Sequence, residues 1–174
     1  MSAAGIPAFC GALDEATAIA ETSRGNAAVS IGTFELMRNV SVLDLSRLPD
    51  IPSIFDQQQI DLRAPLRFLH HFRWKISEAI ELDGREHIEY TPTQVVSEFI
   101  KHRFRDADGR NVEGVLYPSA RREDGTNIIL FIKSENVDGV PVASYLRPER
   151  ILRLLRARTV VIEAGKGTSD HSKH

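Results

Sequence analysis

Helix-like and strand-like segments are interspersed along this chain, without the regular alternation of strand and helix that builds a doubly wound parallel sheet. Runs of apolar and β-branched residues predict strands at 6–12, 27–37, 40–45, 112–118, 127–132 and 158–163. Apolar residues at helical spacing predict helices at 14–22, 62–80, 92–104 and 147–158. Asp14 is a suitable N-cap for the first helix, and Pro65 is expected in the first turn of the second. This order of segments predicts an α+β fold.

The length and composition of the chain are those of one globular domain. Of its 174 residues, 42% are hydrophobic, and we expect one domain over residues 1–164 followed by a polar, flexible tail over 165–174. The single cysteine, Cys10, excludes an internal disulfide and suits a reducing cytoplasm. The N-terminus lacks the features of a signal peptide, and no apolar run approaches the roughly 18 residues of a membrane span. We therefore expect a soluble cytoplasmic protein.

Several common catalytic and ligand-binding motifs are excluded by their spacing. In the tail sequence AGKGTS, Val160 stands where a phosphate loop has its first glycine, and Gly167 follows the lysine where Ser or Thr is required. His70 and His71 lie about 100° apart around a helix, so they cannot both bind one metal ion. The sequence has no nucleophile elbow and no cysteine spacing typical of zinc sites. We predict neither a metal nor a bound cofactor.

The predicted helix at 147–158 carries the main basic cluster of the chain. Its arginines are Arg147, Arg150, Arg153, Arg156 and Arg158. Arginines three residues apart share a helix face and can meet phosphates. Apolar residues between them are more typical of a helix that is docked on the core and has a solvated basic side. Because the net charge of the chain is −2, we expect no nucleic-acid binding from this cluster by itself.

Three segments in order resemble the RES-domain family. The first is GIPAFCGALDEATAIAE, at residues 5–21, which is similar to a family segment of glycine, short strand and helix ending in Ala-Glu. The second is EYTPTQVVSEFI, at 89–100. The third is EGVLYPSARREDGTNIILF, at 113–131, which resembles the family's strand, serine, turn and strand that begins with asparagine. With the connecting sequence, the resemblance extends from the first residue to about 131.

The resemblance implies an ADP-ribosyltransferase-like fold, with central β-sheets flanked by helices, in an NAD-degrading toxin of a bacterial toxin–antitoxin system. The family is named after an arginine, a glutamate and a serine, and Glu21 and Ser119 occupy the last two positions as catalytic residues. Glu21 would stabilise the positive charge that develops as nicotinamide leaves its ribose, and Ser119 would hold the nicotinamide or that ribose. Gly5, Cys10 and Ser119 would line the NAD pocket. NAD is then the substrate, and an antitoxin that covers the cleft is the implied partner.

Two positions depart from the family pattern. The family arginine would lie just before the segment that begins at Met1, and Cys10 stands where relatives have a tyrosine. Weak NAD binding is expected, because the planar guanidinium of arginine is suited to gripping phosphate. Several activities therefore stay open: an NAD phosphorylase or glycohydrolase with phosphate or water as acceptor, a protein mono-ADP-ribosyltransferase, or a catalytically dead remnant that binds only antitoxin or nucleotide.

Expression of the 174-residue chain alone in bacteria tests whether the absent arginine limits activity. We expect the chain to fold and the cells to keep their NAD, because loss of a charge-assisted phosphate contact removes roughly 1.5–3 kcal/mol of binding. NAD content and growth after induction are the measurements. Addition of an arginine-bearing N-terminal segment should then increase NAD loss. Rapid NAD depletion by the chain alone would contradict this prediction and indicate a substitute, with Arg24 and Arg121 the first candidates.

Overall fold

Two β-sheets and two main helices make up the described part of the fold. The computed structural model describes residues 8–22, 27–77, 98–138 and 149–162. In chain order the elements are β1 (Phe9–Ala12), α1 (Glu15–Thr22), β2 (Ala27–Leu36), β3 (Val42–Asp44), α2 (Ile60–Ser77), β4 (Gly114–Pro118), β5 (Thr126–Leu130), β6 (Val137–Asp138) and β7 (Leu152–Ile162). Residues 98–103 are also helical, and a 3-10 helix, Ser134–Asn136, precedes β6. The predicted α+β fold class is confirmed, and no helix in the described ranges is long and apolar enough to cross a bilayer.

The strands form one four-stranded and one three-stranded sheet. The first sheet has the order β1-β5-β4-β3, in which β5 is antiparallel to both of its neighbours and β3 is parallel to β4. Parallel strands such as β3 and β4 need a long crossover connection. Here that connection contains α2. The second sheet has the order β2-β7-β6, in which β2 and β7 are long antiparallel partners.

One face of the first sheet packs against helices. Opposite residues in an antiparallel pair point to the same face, so Val115 of β4 and Ile129 of β5 lie together. They join Tyr117 in a buried cluster with Phe72 and Ile76 of α2. Each fully buried side chain of this size contributes about 1.5–3 kcal/mol of transfer free energy. This cluster holds α2 on the sheet.

The other face of the first sheet packs against the second sheet. Leu130 of β5 forms a buried cluster with Ile151 and Leu152 at the start of β7. The rings of Phe9 in β1 and Phe34 in β2 meet edge to face, with centroids 4.9 Å apart. The first sheet is therefore the middle layer, between the helices and the second sheet.

Most predicted elements are present, with shifted ends. The predicted strands at 27–37, 40–45, 112–118 and 127–132 correspond to β2, β3, β4 and β5, and β1 covers residues 9–12 of the strand predicted at 6–12. Asp14 caps α1, because its Oδ1 accepts a hydrogen bond of 2.9 Å from the Thr17 amide. Helix α2 begins at Ile60, so Pro65 lies in its second turn instead of its first. Residues 98–103 confirm part of the helix predicted at 92–104, and the tail at 165–174 lies outside the described residues.

The helix predicted at 147–158 is wrong, because Leu152–Ile162 is the strand β7. Its register against β2 shifts between Thr33 and Phe34, which pair with Arg156 and Leu154. Leu155 is the extra residue of this β-bulge, so two leucines follow one another and the usual alternation of a strand is lost. The resulting spacing of apolar residues and arginines imitates that of an amphipathic helix.

Arg38 links the two sheets near the ends of strands β2, β4 and β7. It follows β2, and its guanidinium donates to both oxygens of Glu113, before β4, at 2.5 and 2.8 Å. It also donates to Glu149, before β7, at 2.5 Å. The hydrogen bonds from Arg38 lower the pKa of the Glu113 carboxyl, because they favour its charged form.

The lowered pKa of Glu113 predicts a specific loss of stability in acid. A depressed folded-state pKa gives stabilisation that is complete above the unfolded-state pKa, about 4.3 for Glu, and is lost as the pH falls through the folded-state value. Glu113→Gln should lower the Tm at neutral pH by about 2–4 °C, and the difference from wild type should shrink in acid. Thermal unfolding of both proteins over a range of pH is the measurement, with Glu135→Gln as a surface control. A Tm difference that stays constant into acid would contradict the assignment.

Candidate active site

Glu21 and Ser119 meet although 98 positions separate them in the chain. Glu21 lies in the last turn of α1, and Ser119 directly follows β4. The Ser119 hydroxyl donates a hydrogen bond of 2.6 Å to Oε1 of Glu21, and both side chains are half-buried. The structure therefore brings together the two residues that the family resemblance implies as catalytic.

A third residue, Asn127, completes this contact and was not assigned a role from the sequence. It lies in β5, is 4% exposed, and its Nδ2 donates to the same Oε1 of Glu21 at 2.8 Å. In the described part of the chain, no donor reaches the second oxygen, Oε2. The sequence signal for Asn127 was its position as a polar residue near the start of an apolar strand. A buried amide there requires a hydrogen-bond partner.

The turn after β4 fixes the direction of the Ser119 hydroxyl. The backbone amides of Arg121 and Arg122 both donate to Ser119 Oγ, at 3.1 Å each. The Ser119 amide in turn donates to the carbonyl of Gly125 at 2.8 Å, which closes the turn on itself. Because the amides occupy the acceptor side of the hydroxyl, its hydrogen points to Glu21.

The resemblance places Cys10 and Gly5 in the NAD pocket, and the structure describes only the first of them. Gly5 lies outside the described residues. Cys10 is in β1, on the sheet face that it shares with Ala12, and Ala12 is the cross-strand partner of Asn127. Its side chain is exposed at the sheet edge, yet neighbouring atoms desolvate the sulfur and raise the pKa of the thiol. Cys10 thus lies along the same face as the Glu21 contact, and its role in NAD binding stays a prediction.

The structure describes the surroundings of one of the two arginines that were candidates to replace the family arginine. Arg24 lies outside the described residues, and Arg121 contacts Ser119 only through its backbone amide. The next residue, Arg122, extends its guanidinium to α1, where Nη1 donates to Asp14 and Thr17 at 2.9 Å each.

A separate cavity of about 620 Å³ lies at the other end of β4 from Ser119. Arg38 and Glu113 are among its lining residues, together with Ser41, Arg110 and Asn111. Both arginines are already bonded to carboxylates, Arg38 to Glu113 and Glu149 and Arg110 to Asp106 and Asp108. Their charges are therefore compensated, and the cavity is a poor site for an anion.

The neighbouring histidines of α2 each have their own contact. His70 donates through Nε2 to the carbonyl of Pro49 at 2.8 Å, and the His71 ring lies 5.7 Å from that of Trp74. Among the described residues, no group of three histidine, cysteine or acidic side chains is arranged to hold a metal ion.

The bonds at Oε1 of Glu21 predict a measurable coupling between Glu21 and Asn127. Glu21→Ala leaves the buried Asn127 amide without its acceptor, which costs about 1–3 kcal/mol. In a double-mutant cycle, Glu21→Ala and Asn127→Ala should couple by at least about 0.5 kcal/mol in the free energy of unfolding. The same cycle with Asn136→Ala, which removes an amide bonded to the Glu149 carbonyl instead, should be additive. Additive effects for Glu21 and Asn127 would show that their contact does not form in solution.

Comparison with known proteins places this arrangement in a family. A family model described as RES domain matches residues 1–155 of the 174. The match includes β1, α1, the turn with Ser119 and β5, and thus both described residues that donate hydrogen bonds to Glu21. No curated protein and no solved structure matches the chain.

Proposed function

Because the chain belongs to the RES-domain family, we propose that it is an NAD-degrading enzyme that breaks the bond between nicotinamide and its ribose. The observation that carries the proposal is the Glu21 carboxylate. Two donors, Ser119 and Asn127, hold one of its oxygens, and no described donor reaches the other. A carboxylate held in this way presents a fixed negative charge to a bound substrate.

The chemistry of the reaction requires such a charge. When the bond between C1′ of the ribose and the nicotinamide nitrogen breaks, the electron pair leaves with nicotinamide and positive charge develops on the ribose. Oε2 of Glu21 can stabilise that charge directly or accept a hydrogen bond from a ribose hydroxyl. Water or phosphate then bonds to C1′ and releases its proton.

Ser119 and Asn127 support the carboxylate in this proposal. Each donates to Oε1, so they fix its rotamer and leave Oε2 as the working atom. Such preorganisation removes the cost of reorienting the group during the reaction. Direct contact of Ser119 with the nicotinamide or its ribose, which the family resemblance implies, stays a second possible task for the same hydroxyl.

The family resemblance extends the proposal to the biological setting. We propose that the protein acts as the toxin of a toxin–antitoxin system and that a cognate antitoxin is its protein partner. No described feature of the chain favours protein ADP-ribosylation. We therefore propose water or phosphate as the acceptor.

Substitution of Glu21 tests the proposed reaction. In a purified assay of the version that carries an arginine-bearing N-terminal segment, Glu21→Ala should reduce NAD consumption by about 10²–10³, the usual loss when a group that stabilises developing charge is removed. Ser119→Ala should have a smaller effect, because Asn127 still holds Oε1. The control is Glu123→Gln, which neutralises an exposed carboxylate of the turn that carries Ser119 and should leave turnover unchanged. Full turnover by a folded Glu21→Ala protein would remove Glu21 from the mechanism.

A further inference from the structure

The face of α1 that carries Glu21 also carries Thr17, one helical turn earlier. Thr17 is fully buried, although its side chain is polar. Its hydroxyl donates to Oδ2 of the N-cap Asp14 at 2.6 Å. The face of α1 that carries Glu21 is therefore also polar one turn earlier, where it packs against the turn at 119–125.

Arg122 joins that turn to the start of α1. Its Nη1 donates to Oδ1 of Asp14 and to Oγ1 of Thr17, at 2.9 Å each. The Thr17 hydroxyl can accept this bond because its own hydrogen is directed to Asp14. Hydrogen bonds from Thr17, with a smaller contribution from the charge of Arg122, lower the pKa of the Asp14 carboxyl, so Asp14 is charged at neutral pH.

The backbone that follows Arg122 is also close to α1. A Cβ at Gly125 would lie 2.7 Å from Oγ1 of Thr17, so only glycine allows this approach without a shift. The amide of Leu13, just before α1, donates to the carbonyl of Thr126 at 2.9 Å. These backbone contacts act together with the Arg122 side chain to limit movement of the turn relative to the helix.

We propose that Arg122 is a positioning residue, which fixes the Ser119 turn on α1 and thereby sets the contact between Ser119 Oγ and Glu21 Oε1. The expected effect of Arg122 on turnover rests on the proposed function, whereas its effect on the contact between Ser119 and Glu21 does not. Arg122 and Asp14 are both more than one-third exposed, at 42% and 44%, and ion pairs of this kind contribute little to global stability. Small misplacements of catalytic groups, in contrast, reduce rates strongly. A residue in this position should therefore affect turnover much more than folding.

The test measures the Glu21 contact directly, through the side-chain amide resonances of Asn127 in the NMR spectrum of the whole chain. Glu21→Gln first establishes how these resonances respond when the contact changes. Arg122→Gln should then shift them, with the Tm within about 2 °C of wild type. The control is Arg110→Gln, which removes an arginine that bonds to Asp106 and Asp108 near the other end of β4 and should leave the Asn127 amide unmoved.

Steady-state kinetics with NAD provide the second readout. Arg122→Gln should lower kcat about tenfold with KM changed by less than about twofold, because the Glu21 geometry matters in the transition state. Arg122→Lys, which keeps the charge near Asp14, should recover part of kcat. Should Arg122→Gln fail to fold, Thr17→Val removes the same acceptor with little change in volume and should give the same two effects.

The outcomes separate this proposal from the proposed function. A shifted Asn127 resonance with lower kcat supports it. A shifted resonance in a protein whose wild type does not consume NAD supports the positioning role and refutes the proposed reaction. An unmoved resonance in Arg122→Gln, or an unchanged kcat in an active enzyme, overturns it.

Discussion

The site depends on one carboxylate oxygen that joins three separate parts of the chain. Oε1 of Glu21, on α1, accepts hydrogen bonds from Ser119, after β4, and from Asn127, in β5. The donors come together because β4 and β5 are antiparallel neighbours, with Tyr117 opposite Asn127 in the register. The carboxylate in turn gives the nearly buried Asn127 amide the partner that it needs. The contact thus contributes both to the packing of α1 and to the proposed chemistry.

Local signals were sufficient to predict the elements that carry this contact. Asp14 before a helical pattern marked the start of α1, and two apolar runs around a polar turn marked β4 and β5. The pairing of Glu21 with Ser119 was a different kind of inference. No local rule relates residues so far apart in sequence, and only the family resemblance indicated that they meet.

Other features could not be predicted because they arise from tertiary structure. The bulge at Leu155 places an extra residue in β7, and the resulting pattern favours a helix unless the pairing with β2 is known. The partners of Arg122 lie on α1, and nothing near Arg122 in the sequence distinguishes it from its neighbour Arg121. Asn127 was visible as a polar residue in an apolar strand, but its acceptor was not.

The reaction that we propose is the breakage of NAD at the bond between nicotinamide and ribose. It is tested most directly by following intact NAD by proton NMR in the presence of a high concentration of the purified chain. Free nicotinamide should appear at the rate at which NAD disappears, while the pyrophosphate stays intact. Glu21→Gln should stop both changes. Release of AMP, or NAD that stays intact during prolonged incubation with the folded chain and with a version carrying an arginine-bearing N-terminal segment, would contradict it.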